Sequence, residues 1–401
     1  MSERLGRVNP AFRGLVVARV VSVGGDALSL VALMLHVAAT SGQALAVAAL
    51  LLVGDLVPSL LSPLSGAIGD RFDRKRVMIT CELVQGAVLV VIALALPALP
   101  LLLALVAVRS VVGQVFVPAS RAAVPALVGE ADLGTANSAL GFGTNGAEAL
   151  GPLAAAALLP LLGVRGVLLV DAASFLVAAG LLLRLPALPA TAVPSAVPAE
   201  GPSTLVGEAR AGLGYLWSHR ALRIILLGYC GVVLANGIDD VALVVLGTDD
   251  LRAGQAGVAL LLGGVGIGLL VGYALLAQGA RRLSMTVLLV VGFAVSSVGN
   301  LLTGLAWAVA VAFALQTVRG LGIAAMDVAS NTLLQRIVPD HLLGRVFGNL
   351  YGAIGVAAGL SYLGGGLLLD ATSAPFTFVA AGTAGALVTA VVAVTLPRAL
   401  R

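Results

Sequence analysis

Carboxylates stand inside stretches of sequence that are otherwise almost wholly apolar, among them Asp26, Asp55, Glu148, Asp171, Asp239 and Asp240, while Asp327, near the end of the tenth stretch, is read as structural. Arg109 and Arg319 are embedded in the same way. Loss of hydration favours the neutral form of a carboxyl group, while a neighbouring guanidinium favours the ionised form. A carboxylate balanced between the two can take up a proton in one environment and release it in another. That is the chemistry of proton coupling, and it needs no bound cofactor. Other chemistries find no support. His36, His219 and His341 sit near segment ends and form no metal-ligand pattern. No serine–histidine pair or phosphate loop is evident, and the glycine-rich run from Gly263 to Gly268 lies inside an apolar segment, where it serves helix packing.

The elements that must position these charges follow from composition. Of 401 residues, 60% are hydrophobic and 10% charged, with a mean hydropathy of +1.09. A soluble chain is about a quarter charged, so too few polar side chains are present to cover a water-facing surface. The apolar runs are long and show no period-two alternation, which excludes a β-barrel reading. At roughly 20 residues per crossing, they divide into spans at 13–37, 43–68, 77–97, 100–121, 135–160, 164–185, 222–246, 253–278, 284–304, 306–330, 346–369 and 375–396. The fold class is therefore an all-α polytopic membrane protein with twelve transmembrane helices. Cys81 and Cys230 lie in or beside these runs, so no disulfide framework is expected.

With the N-terminus inside, eighteen of the 23 basic residues fall on the cytoplasmic side, only Arg165 and Arg252 fall outside, and Arg19, Arg109 and Arg319 lie within spans. This asymmetry predicts that both termini are cytoplasmic. All but Lys75 of the basic residues are arginine, and with 50 glycines this suggests a GC-rich bacterial gene. The expected location is the bacterial inner membrane. Between the sixth and seventh spans, five prolines from Pro186 to Pro202 indicate a semi-extended linker. After it, Leu205, Leu213, Leu216 and Trp217 alternate with Glu208, Arg210, His219 and Arg220. That pattern fits either a short amphipathic helix at the membrane surface or the frayed start of the seventh span.

A shift of 210 residues superposes the sequence on itself without gaps: Gly54 on Gly264, Gly69 on Gly279, Arg71 on Arg281, Arg109 on Arg319, Glu130 on Asp340 and Gly134 on Gly344. The division is then 1–185 as an N-terminal six-helix bundle, 186–221 as a linker with its short helix, and 222–401 as a C-terminal bundle. Two like-oriented halves place a cavity between them at mid-membrane. Asp26, Arg109 and Glu148 lie at similar depth and can line it, as can Asp239 and Asp240 in the outer half of the seventh span.

Three motifs carry a family resemblance. Gly66-Ala-Ile-Gly69-Asp70-Arg71-Phe72-Asp73-Arg74-Lys75-Arg76 resembles the signature of the major facilitator superfamily between its second and third helices, with Asp73 where glycine is usual. The D-R-F-D-R form is similar to the branch of macrolide-efflux and enterobactin-exporter proteins. Leu105, Arg109 and Gly113 match a second family motif in the fourth helix, with Val112 in place of glutamine. Gly143, Gly151 and Pro152 resemble the antiporter motif of drug exporters in the fifth helix, with alanine at three of its glycine positions.

The resemblance implies two pseudo-symmetric six-helix bundles and a conformational gate formed by Gly66, Asp70, Arg71 and Arg74. In the gate, Gly66 would allow close helix approach and the charged residues would lock the cytoplasmic side. It also implies a helix bend at Gly151-Pro152 that favours export. The expected function is proton-coupled export of an amphipathic organic compound, such as a drug, antibiotic or siderophore, by alternating access. Uptake of a small organic solute by the same fold is the first alternative, and a membrane-embedded receptor or enzyme the second. The expected partners are that small molecule, protons and the lipid bilayer. No nucleic acid, cofactor or metal is expected, the chain is read as a monomer, and it is not expected to be an enzyme.

Overall fold

In hydrocarbon, a segment must satisfy its own backbone polar groups. The computed structural model of this chain is helical along nearly all of its described residues, which are 9–41, 44–189 and 204–400. Helices α1 (Pro10–Ser41), α2 (Ala44–Arg71), α3 (Arg74–Ala95) and α4 (Leu99–Leu127) come first. The next helical stretch, Leu133–Leu182, is 50 residues long and is broken at Gly163, where φ is 63° and ψ 179°. That backbone region is open in practice only to glycine. The break makes two helices, α5 (133–162) and α6 (164–182). There follow α7 (Leu205–Ser218), α8 (Arg220–Asn236), α9 (Asp239–Val245), α10 (Gly254–Gly279), α11 (Met285–Thr303), α12 (Val309–Ile337), α13 (Leu343–Ala371) and α14 (Ala374–Ala399).

Among the described residues, eleven helical stretches are long and apolar enough to cross a membrane. The longest, Glu130–Leu182, contains α5 and α6, so the twelve expected spans are all present. The seventh is not a single helix. It runs over Arg220–Asp250 and is interrupted at Gly237-Ile238, between α8 and α9. The pattern from Leu205 onward resolves in favour of a separate helix: α7 ends at Ser218 and α8 starts afresh at Arg220. The proline-rich tract expected as a linker lies mostly outside the described residues.

Local chemistry sets several boundaries. Asp73 caps α3 by accepting from the Arg76 N–H at 2.8 Å. Ser284 caps α11 and Ser373 caps α14, with Pro375 in the first turn of the latter. Pro58 and Pro63 lie inside α2, Pro118 and Pro125 inside α4, and Pro152 and Pro160 inside α5. Each removes a helical hydrogen bond and favours a bend.

The chain packs as two compact units that are not contiguous in sequence. The first comprises residues 1–130, 143–213 and 338–352, the second 131–142, 214–337 and 353–401. The core of the first includes Leu33, Leu50, Leu89, Ile92, Val106 and Phe175. In the second, Leu243, Leu261, Ala312 and Phe378 form one cluster and Tyr273, Ala324 and Val328 another. Large apolar side chains such as Leu94, Leu161, Leu367 and Val391 remain exposed along the helices. That is the surface a bilayer solvates.

Candidate functional site

In the first unit, Arg109 of α4 reaches Asp26, midway along α1, in a direct ion pair. The same guanidinium lies 4.0 Å from the fully buried Asp171 of α6, whose other oxygen accepts from the Ser174 hydroxyl at 3.1 Å. An arginine at this depth costs about 2.5–3.5 kcal/mol on insertion scales unless it is paired or faces a polar cavity. Arg109 has both. A cavity of about 420 Å³ opens beside the pair, and its wall includes Arg19, Asp26, Arg109, Glu148 and Pro152, with the rest mostly aliphatic. Of the sequence-predicted site residues, Asp26, Arg109 and Glu148 are thus brought together. Gly151 packs against Ala27, next to Asp26, so α5 lies close against α1 there and Pro152 faces the cavity.

Glu82 of α3 is fully buried, and the polar group beside its carboxylate is the Ser22 hydroxyl. Its electrostatic neighbours are Arg19, Asp26 and Asp171. Sequence reasoning singled out neither Glu82 nor Arg19 as a site residue. Glu82 comes soon after the Arg74–Arg76 cluster and reads as part of a charged span end. The signal for it was a lone acid more than one turn inside an apolar run. Arg19 stacks on Phe116, its guanidinium carbon 5.0 Å from the ring centre.

In the second unit, Arg319 of α12 pairs with Asp239, the first residue of α9. Its Nη1 also donates to Gln316 Oε1 at 3.1 Å, and Gln316 donates to Thr303 at 3.1 Å. Beside the break in the seventh span, Asn300 donates to Asn236 at 2.9 Å. Buried polar groups need such partners. A helix broken at mid-span, with a carboxylate at the break, lets irregular backbone meet an ion or a polar solute. Asp240 belongs to α9, and its side chain lies outside the described residues, as does that of Asp55.

A second constellation occupies the end of the first unit that carries the Asp70–Arg76 loop. Asp70 accepts from the backbone N–H groups of Gly344 and Arg345, both at 2.8 Å. These belong to the first turn of α13, where unpaired N–H groups and the helix dipole favour an anion. A Cβ on Gly66 would strike the Gly344 backbone, so only glycine permits this approach of α2 to α13. Arg74 is buried, donates to the Ala122 carbonyl at 2.9 Å and lies 3.4 Å from Asp340. Arg71 is exposed and joins none of these ion pairs among the described residues. Arg345 lies between Asp70 at 3.7 Å and Glu208 of α7 at 3.4 Å, and Asn349 donates to the Ala209 carbonyl at 3.1 Å. Asp73, where the family motif has glycine, caps α3 and also accepts from Leu188 N–H at 3.2 Å.

The repeat is visible here in detail. Gly344 sits against Asp70 in the first unit, and Gly134 sits against Ala280 at the corresponding place in the second. The carboxylate is present in only one copy.

Two repeated helical bundles, arginine–aspartate pairs in mid-span and a loop signature docked on a helix N-terminus define a polytopic membrane transporter. The profile of the Major Facilitator Superfamily matches residues 15–312, and the chain belongs to that superfamily. It is 26% identical to the uncharacterized MFS-type transporter YfiS of Bacillus subtilis (strain 168), over 95% of this chain and 92% of that protein. It resembles the crystal structure of a bacterial homologue of the iron transporter ferroportin in its outward-facing state, with a TM-score of 0.77 at 18% identity over 97% and 99% of the two chains. It also resembles the Escherichia coli fucose:proton symporter FucP, with a TM-score of 0.76 at 14% identity over 97% and 98%. Proteins of this family are transporters, not enzymes.

Proposed function

We propose that this protein is a proton-coupled exporter of an amphipathic organic compound, with both termini in the cytoplasm of a bacterial cell and the inner membrane as its home. The observation that carries the reading is the Asp26–Arg109 pair on the wall of a cavity that also receives Glu148. A carboxylate held by an arginine yet open to a cavity can exchange its proton when the cavity changes sides, and the apolar remainder of the wall suits a hydrophobic cargo. Gly151 and Pro152 support the outward direction, because the antiporter-type groove they belong to lies against the same part of α1. In this reading the clasp of Asp70, Arg74 and Gly66 closes the cytoplasmic side between transport steps. The protein works as a monomer with the bilayer, protons and its cargo as its partners.

Inverted membrane vesicles with an imposed pH gradient, screened over diverse hydrophobic compounds, test the proposal. Accumulation that collapses with a protonophore supports it. Accumulation indifferent to the protonophore removes proton coupling, and coupled movement in the opposite direction makes the protein an importer.

A further inference from the structure

A groove of about 370 Å³ runs along the second unit between the first half of α8 and the last half of α14. Its head is formed by Arg220 and Arg223 and its floor by Leu227, Gly228, Val391 and Thr395. At 1.5 Å per residue, the stretch from Arg220 to Gly228 is about 12 Å long. Leu227 is 52% exposed and Val391 63%, so the floor opens sideways, on faces of two membrane-spanning helices. Among the described residues, no acidic side chain lines the groove. Neither arginine forms an ion pair with a carboxylate among the described residues. Arg223 spends one N–H on the Trp217 carbonyl at 3.3 Å, and Trp217 is itself exposed, as suits an aromatic side chain at headgroup level.

We propose that this groove is a binding site for an anionic phospholipid, with the phosphate held by Arg220 and Arg223 and one acyl chain laid over Leu227, Gly228 and Val391. The occupant follows from charge complementarity: two guanidinium groups at one end, with no carboxylate partner among the described residues, select an anion, and an aliphatic trough open to hydrocarbon selects a lipid tail. A soluble phosphate would satisfy the head and leave the trough empty. A neutral lipid would satisfy the trough and leave the head unpaired.

Native mass spectrometry of the full-length protein, titrated with phosphatidylglycerol, phosphatidylcholine or soluble glycerophosphoglycerol, tests this. The expected result is preferential retention of phosphatidylglycerol, weakened roughly thirtyfold in R220Q/R223Q and unchanged in R398Q, whose exposed arginine lies outside the groove. An equal loss in R398Q would show a diffuse charge effect and overturn the site. So would unchanged binding in the double variant, absence of any preference in the wild type, or equal retention of glycerophosphoglycerol. Thermal unfolding of each variant confirms that it is folded.

Discussion

Asp239 stands at the repeat position of Ser29, one helical turn beyond Asn236, which is the counterpart of Asp26. Yet Asp26 and Asp239 each pair with the arginine at the same repeat position, Arg109 in the first unit and Arg319 in the second. The acid has moved by one turn and the pair has survived. The break at Gly237-Ile238 places Asp239 at the start of a new helix.

The two pairs differ in exposure, and that difference predicts different phenotypes. The Asp26 side chain is 35% exposed towards the cavity, and Arg109 keeps Asp171 as a second neighbour. The Asp239 side chain is 9% exposed. Asp239→Asn leaves Arg319 buried without a carboxylate and is expected to cost about 3–5 kcal/mol. Asp26→Asn leaves Arg109 with Asp171 and the cavity, so it is expected to cost less than Asp239→Asn while abolishing pH-gradient-driven transport. Thermal unfolding together with vesicle efflux checks both. Normal coupled efflux by Asp26→Asn would remove it as the coupling group.

Asp70 holds two N–H groups of α13 with a charged acceptor, each such bond contributing about 1.5–3 kcal/mol. Asp70→Ala is expected to speed amide exchange in the peptide covering Gly344 and Arg345 by about 10–100-fold. Arg71→Gln, at an exposed position, is expected to leave exchange there unchanged. Equal rates in Asp70→Ala and wild type would mean that the clasp does not hold α13 in solution.

Asp73 has two local tasks, the cap on α3 and the bond to Leu188. Asp73→Ala is expected to lower stability by about 1 kcal/mol, the typical worth of an N-cap, with transport retained. A folded but inactive Asp73→Ala protein would give this residue a role in the transport cycle beyond capping.

Glu82 is fully buried, with the Ser22 hydroxyl as its near polar neighbour. An ionised carboxylate there bears a desolvation cost of several kcal/mol. Glu82→Gln keeps the shape and removes the charge, so its unfolding temperature is expected to equal or exceed that of the wild type. A drop of several degrees would show instead that Glu82 is ionised and that Arg19 holds it.

Hydropathy was enough to set the spans, because the bilayer acts on each segment separately, and three short motifs were enough to point to the family. Crossing needs length and apolarity, and both are properties of consecutive residues. The 210-residue shift aligned Arg109 with Arg319 for the same reason, since a linear repeat keeps its register. The linear sequence also brought Asp26, Arg109 and Glu148 to one depth, and they share one cavity wall. Which partner each charge meets was decided only by the fold. Adjacent residues on a helix point about 100° apart, so depth alone does not say whether a side chain faces the core, a cavity or lipid. That rotation encloses Glu82, while the chain breaks at 72–73 and at Gly237-Ile238 leave Arg71 exposed, bury Arg74 and bring Asp239 rather than a residue aligned with Asp26 to Arg319.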